Sequence, residues 1–172
     1  MSTGSILHPS EHLLNSLGFS MNYARSLLTD ITEDQFAHLP MPGFNHPAFC
    51  YGHLACYPNR MLEFLGCQQD QIELPFDADL YKSGVECVEQ DGRYASMPVI
   101  VDCFFAGHDR LAQVLPTVSP EIFASPTGLE GRMGEIFPRI GDAIDFMSGN
   151  HIMMHLGQVS MWRRAMGMGP CM

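Results

Sequence analysis

The sequence predicts an all-α fold: a four-helix bundle with long irregular connections between its second and third helices and between its third and fourth. Four segments repeat apolar residues at the three-and-four spacing of a helix that buries one face. No long stretch shows the two-residue alternation of half-buried strands, and no internal repeat is present. Short apolar pieces such as Val99–Val101 leave a mixed α/β fold as the weaker alternative. With 172 residues the chain has the length of one domain, so 1–172 is expected to be a single bundle.

The first helix is expected from Pro9, suited by its fixed φ and missing N–H to an opening position, to Leu28. Leu13, Leu17, Ala24, Leu27 and Leu28 form its inner stripe. Thr32 and Gln35 make a capping-box signature for a helical turn over 33–37. The second long helix is expected to start at Asn45 as N-cap, with Pro47 in its first turn, and to run to Gly66 with Cys50, His53, Tyr57, Met61 and Phe64 inward. Pro58 lies within it, lacks the donor that Leu54 needs, and predicts a kink or a break about one turn past His53.

From Cys67 to Ala95 acid, amide and glycine residues dominate. The expectation is a long acidic connection, either a functional lid or mobile. Ser96 and Pro98 open a third helix to about Leu115, whose stripe of Met97, Val101, Phe104, His108, Leu111 and Leu115 points His108 inward. Residues 116–137 read as irregular. A fourth helix is expected from Pro138 to Met166 with Gly167 as its stop, its inner face being Ile140, Ile144, Met147, His151, Met154, His155, Gln158 and Trp162.

Composition excludes several functions. A net charge of −10 with nine Lys and Arg residues cannot neutralise a run of phosphates, so nucleic acid and anionic membranes are not expected partners. No apolar run approaches the roughly 18 residues of a membrane span. Six scattered cysteines without a C-x-x-C pair, and no basic-then-apolar leader at the start, predict a reduced, cytoplasmic protein.

The chemistry concentrates in the histidines. His151 and His155 form an H-x-x-x-H pair, and residues four apart on a helix project from nearly the same side. Two imidazoles so placed reach one ion at about 2.0–2.1 Å. His8 and His12 share the spacing, but His8 precedes Pro9 and is biased away from helical geometry. His151 and His155 instead sit mid-helix on the apolar face, where each nitrogen left unpaired costs about 1–3 kcal/mol. The bland reading is that each inward histidine bonds a buried carbonyl or water. Inward histidines from three helices favour a metal instead, since bundle cores recurrently build such sites.

These residues also carry a family resemblance. The segment Gly43-Phe-Asn-His-Pro-Ala-Phe-Cys-Tyr-Gly-His-Leu-Ala55 and the segment Asn150-His151-Ile-Met-Met-His155-Leu-Gly-Gln158-Val-Ser-Met-Trp-Arg-Arg-Ala-Met-Gly167 resemble the second and last helices of the DinB superfamily. The element order, including Gly107-His108-Asp109 in the third helix, extends the similarity over nearly the whole chain. The resemblance implies a divalent metal, zinc or nickel, held by one histidine of the second helix and two of the fourth, here His53, His151 and His155. Pro58 departs from the pattern and puts the geometry past His53 in question. Relatives include transferases and isomerases that use low-molecular-weight thiols and proteins described as metal-dependent hydrolases, so the resemblance implies a site more sharply than a reaction.

Three nitrogen ligands leave a coordination position open, as in catalytic rather than structural zinc sites. The expected function is therefore metal-assisted thiol transfer or hydrolysis of a small molecule, the alternative being a non-enzymatic metal-binding or ligand-sensing bundle. A homodimer is a further expectation. His108 is the candidate catalytic residue as a general base, with a fourth ligand or a core histidine bonded to a carbonyl as the other readings. Gln158 is expected to orient the ligands, and Arg60 either meets an anionic substrate or reaches solvent. Cys50 and Cys56, near His53, read as small buried hydrophobes rather than nucleophiles.

Overall fold

A computed structural model describes residues 8–171, so 1–7 and 172 of the expected domain lie outside the described residues. The architecture is all-helical, with four rods as expected and a single isolated bridge, Pro126 to Arg139, as the only β pairing among the described residues. None of its helices is long and apolar enough to cross a membrane.

The first rod, α1, spans Ser10–Leu27 and buries Leu13, Leu17, Met21, Ala24 and Leu27, while Leu28 is only half-buried. A short α2 covers Glu33–Phe36, where the Gln35 side chain accepts the Thr32 N–H at 3.1 Å, the arm of the box that ties the helix start. The second rod is broken, as Pro58 predicts. It consists of α3, Pro47–Ala55, and α4, Tyr57–Phe64, joined at Cys56, whose N–H tightens onto the His53 carbonyl. Pro58 occupies the first turn of α4, where its missing N–H costs nothing. Asn45 is not the cap of α3. His46 is: its Nδ1 accepts the Phe49 N–H at 3.1 Å, and Asn45 is recruited elsewhere.

The connection after Gly66, expected as a long acidic segment, is anchored by packing rather than by periodicity. Two 3-10 turns, Gln68–Asp70 and Ala78–Tyr81, fix it in place. Its aromatic side chains Tyr81 and Tyr94 are buried in the common core, and the Val88 carbonyl bonds His46 Nε2 at 2.9 Å. Asp70 pairs with Arg110, and Asp77 accepts the Asp79 N–H.

The third rod, α5, runs Met97–Val114 and buries Ile100, Phe104, His108 and Leu111. Ser96 precedes it, but the free Met97 N–H is taken by the Glu33 carboxylate instead of the Ser96 hydroxyl. Residues 116–137 contain two short helices, α6 (Pro120–Ala124) and α7 (Gly131–Ile136). The loop carrying α7 is closed at its neck, where Thr127 bonds the carbonyls of Pro138 and Phe137 and the Ile140 N–H bonds Ser125.

The last rod is not one continuous helix. Helix α8, Ile140–Asp145, passes through a wide π turn at Phe146–Asn150 into α9, His151–Ala165, with Gly167 at φ +74° ending it. Gly149 lets this turn close on α1, since a Cβ there would meet Ser16 Oγ at 3.0 Å. One extra residue rotates the downstream helix by about 100°. The apolar stripe begun by Ile140 and Ile144 accordingly continues at Ile152, Leu156 and Val159, and Met154, expected inside, is 55% exposed.

In the bundle α3 packs on α5 and α9, and α1 packs on α9, the π turn and α5. Tyr51 crosses the centre, its hydroxyl donating to the Ala24 carbonyl at 2.7 Å, and the Trp162 indole donates to the His38 carbonyl at 2.7 Å. These buried donors are satisfied, as a tightly packed core requires.

Candidate metal centre

Where α3 meets α9, three imidazoles converge. The Nε2 atoms of His53 and His151 lie 3.2 Å apart, as do those of His155 and His151. One ligand atom from each of the three residues falls within 4.8 Å of the others. His53 comes from the last turn of α3, and the other two stand one turn apart at the start of α9, directly after the π turn that sets their bearing.

Each outer ring is held by its other nitrogen. His53 Nδ1 donates to the Tyr81 carbonyl at 2.7 Å, and His155 Nδ1 donates to Gln158 Oε1 at 3.1 Å. The same Gln158 oxygen accepts from Asn45 at 3.0 Å, which is the use the fold makes of that side chain. Tyr81 reaches its place because Gly52 has no side chain, for a Cβ on residue 52 would run into the Tyr81 ring.

This arrangement decides the protons. A carbonyl oxygen can only accept, so the neutral rings of His53 and His155 carry their protons on Nδ1 and turn bare Nε2 lone pairs inward. His151 can offer at most one N–H to two such acceptors, and its own Nδ1 is buried without a partner. At least one inward lone pair is thus unmatched. A cation matches all three. Tetrahedral ligands about 2.0–2.1 Å from one ion lie roughly 3.3 Å from each other, close to the 3.2 Å of His53–His151 and His155–His151.

The electrostatics agree with the geometry. Burial lowers the pKa of His53, with the Tyr81 carbonyl opposing it. His151 is pushed down to about 3 by burial, then by His155 and His53, and His155 to about 4 by burial and then by His53. All three are therefore neutral at pH 7, the state a metal ligand requires.

Two cavities flank the cluster. One, about 310 Å³, has His151 at its wall, and the other, about 260 Å³, has His53. Tyr57 and Arg60, one turn apart on α4, line both. The Tyr57 ring lies 4.2 Å from that of His151 between centroids, burial raises its pKa, and its hydroxyl makes no hydrogen bond among the described residues.

The remaining candidates lie apart or are inert. His108 is fully buried on α5, with Nδ1 donating to the Phe104 carbonyl at 2.7 Å, and borders a separate cavity between α1 and α5. Its placement is that of the core histidine bonded to a carbonyl. His8 and His12 turn to different partners, the Val118 carbonyl and Asp145. Burial raises the Cys50 thiol and pushes that of Cys56 up to about 11, so neither is a thiolate at neutral pH. Sequence reasoning missed the Tyr81 carbonyl, a main-chain atom with no signature of its own. It also passed over Tyr57, although that residue stands one turn past His53 on the same stripe.

No curated protein and no solved structure matches the chain significantly. The sequence model of the DinB superfamily matches residues 17–159, a span that takes in α3, the π turn and all three clustered histidines. This chain belongs to the DinB superfamily.

Proposed function

We propose that the chain binds one divalent ion through the Nε2 atoms of His53, His151 and His155 and uses it in thiol transfer to, or hydrolysis of, a small molecule. The observation that carries this reading is the proton account above: two rings locked with bare nitrogens inward, a third beside them at 3.2 Å, and too few protons to satisfy all three. An all-imidazole donor set suits zinc or nickel better than magnesium or calcium, which prefer oxygen.

The chemistry such an ion supplies is a lowered pKa for a coordinated water or thiol, which makes a nucleophile available near neutral pH. The protein's own groups do the rest. The Tyr81 carbonyl and Gln158 hold two ligand rings at fixed angles, and Tyr57, kept protonated by burial, offers a hydrogen bond to a substrate in either cavity.

The test is metal content by elemental analysis. Purified native protein is expected to carry close to one ion per chain, and His151→Ala close to none. Equal content in the two proteins removes the assigned site. Turnover of thiols with electrophilic acceptors by the loaded protein, abolished in His151→Ala, is the expected activity result.

A further inference from the structure

The larger of the two cavities is lined mostly by apolar side chains. Phe64, Met133, Phe137, Phe146 and Met147 contribute to its walls, and the polar side chains on it are Tyr57, Arg60 and His151. Among the described residues Arg60 is the only Lys, Arg, Asp or Glu that borders this space.

Arg60 also differs from half of the other eight basic residues of the chain. Lys82, Arg93, Arg110 and Arg139 each pair with an aspartate, whereas Arg60 makes no ion pair among the described residues. Its guanidinium carbon lies 5.4 Å from the centroid of the Phe64 ring, which steadies the group at the cavity rim. In a protein of net charge −10 the general field repels anions. A guanidinium without an acidic partner at this rim reverses that field locally.

From this juxtaposition of Arg60, Phe64 and the apolar cavity beside His151, we propose that the site takes a small monocarboxylate with an apolar aryl or alkyl body. The carboxylate pairs with the fork of Arg60, and the body fills the space between Phe64, Met133 and Phe137. One guanidinium balances one charge. A phosphate ester would bring about two, one more than the Arg60 guanidinium matches. Pairing at Arg60 directs the far end of the ligand towards His151, and only the statement that this end reacts rests on the function proposed above. Arg60 is then a specificity-determining residue.

Calorimetric titration of the metal-loaded protein with 4-phenylbutyrate and with the uncharged 4-phenylbutyramide tests this. The acid is expected to bind about ten- to a hundredfold more tightly than the amide, the range that a charge-assisted pair supplies. Arg60→Met should erase that preference while leaving metal content unchanged, and Arg60→Lys should keep only part of it. A preference that survives Arg60→Met means the acid is bound elsewhere, on the ion included, and overturns the proposal. So does equal binding of acid and amide, or binding of neither. His151→Ala separates the two readings: a preference for the acid retained in that variant upholds the Arg60 pairing whatever becomes of the metal site.

Discussion

The ring of Tyr81 occupies the space where Gly52 has no Cβ, and one residue further along α3 His53 donates Nδ1–H to the carbonyl of the same Tyr81. The glycine thus fixes the orientation of a candidate ligand that it does not touch. Gly52→Ala must displace the tyrosine, and its carbonyl with it. Metal affinity is expected to fall about 10- to 100-fold, the usual effect of losing a partner behind a ligand, measured by competition with a chromogenic chelator. Unchanged affinity would detach Tyr81 from the site.

Gln158 does the same for His155, and Asn45 holds Gln158 in turn. Gln158→Leu removes the acceptor and leaves His155 free to turn. A comparable loss in affinity is expected in the same assay, with Asn45→Ala giving a smaller one because Gln158 keeps its bond to His155.

His108 supplies a pH prediction. Burial pushes it down to about 4, against 6.5 in an unfolded chain. Between those values the unfolded chain binds a proton that the folded chain refuses, so its contribution is intact above pH 6.5 and shrinks as pH falls towards 4. At roughly 1.4 kcal/mol for each tenfold change in proton affinity, about 3 kcal/mol is lost across that window. His108→Leu should remove about that much of the fall in urea-unfolding stability over the same range, the rest belonging to the other buried histidines, and leave metal content untouched. A loss of bound metal in that variant would give His108 a role at the centre that its position on α5 does not suggest.

An ion bound only by the folded chain stabilises it by mass action, about 2.7 kcal/mol at a hundredfold excess over the dissociation constant. For a chain of this length that corresponds to roughly 5–10 °C in melting temperature. Chelator treatment should lower the melting temperature of the native protein by that amount and leave that of His151→Ala where it was. Indifference of the native protein to chelator would count against a tightly held ion.

Much of the bundle was legible because burial imposes a period. The faces of α1 and α5 follow from Leu13, Leu17 and Ala24 and from Phe104, His108 and Leu111, and Pro58 announced the break between α3 and α4 by chemistry alone. Two of the three histidines could be picked out since they share a helix turn, and the third came from its inward place on the second helix and the resemblance to the DinB superfamily. The features that escaped depend on contacts without a period. Asn45 has the chemistry of a cap, yet a histidine next to it does the capping and frees the amide for Gln158. The segment 67–95 is anchored by Tyr81 and Tyr94, single aromatic residues whose burial no spacing foretells. Met154 was misplaced because an uninterrupted helix was assumed.

That interruption has a consequence for anyone who aligns this chain with others. Matched residue for residue to a relative whose last helix is unbroken, the halves before and after 146–150 cannot both keep their bearings, and one of them is turned by more than a quarter of a revolution. A gap of one position within the wide turn restores both. Where that gap is drawn determines whether the histidine pair is superposed on the donors of its counterpart or on the residues beside them.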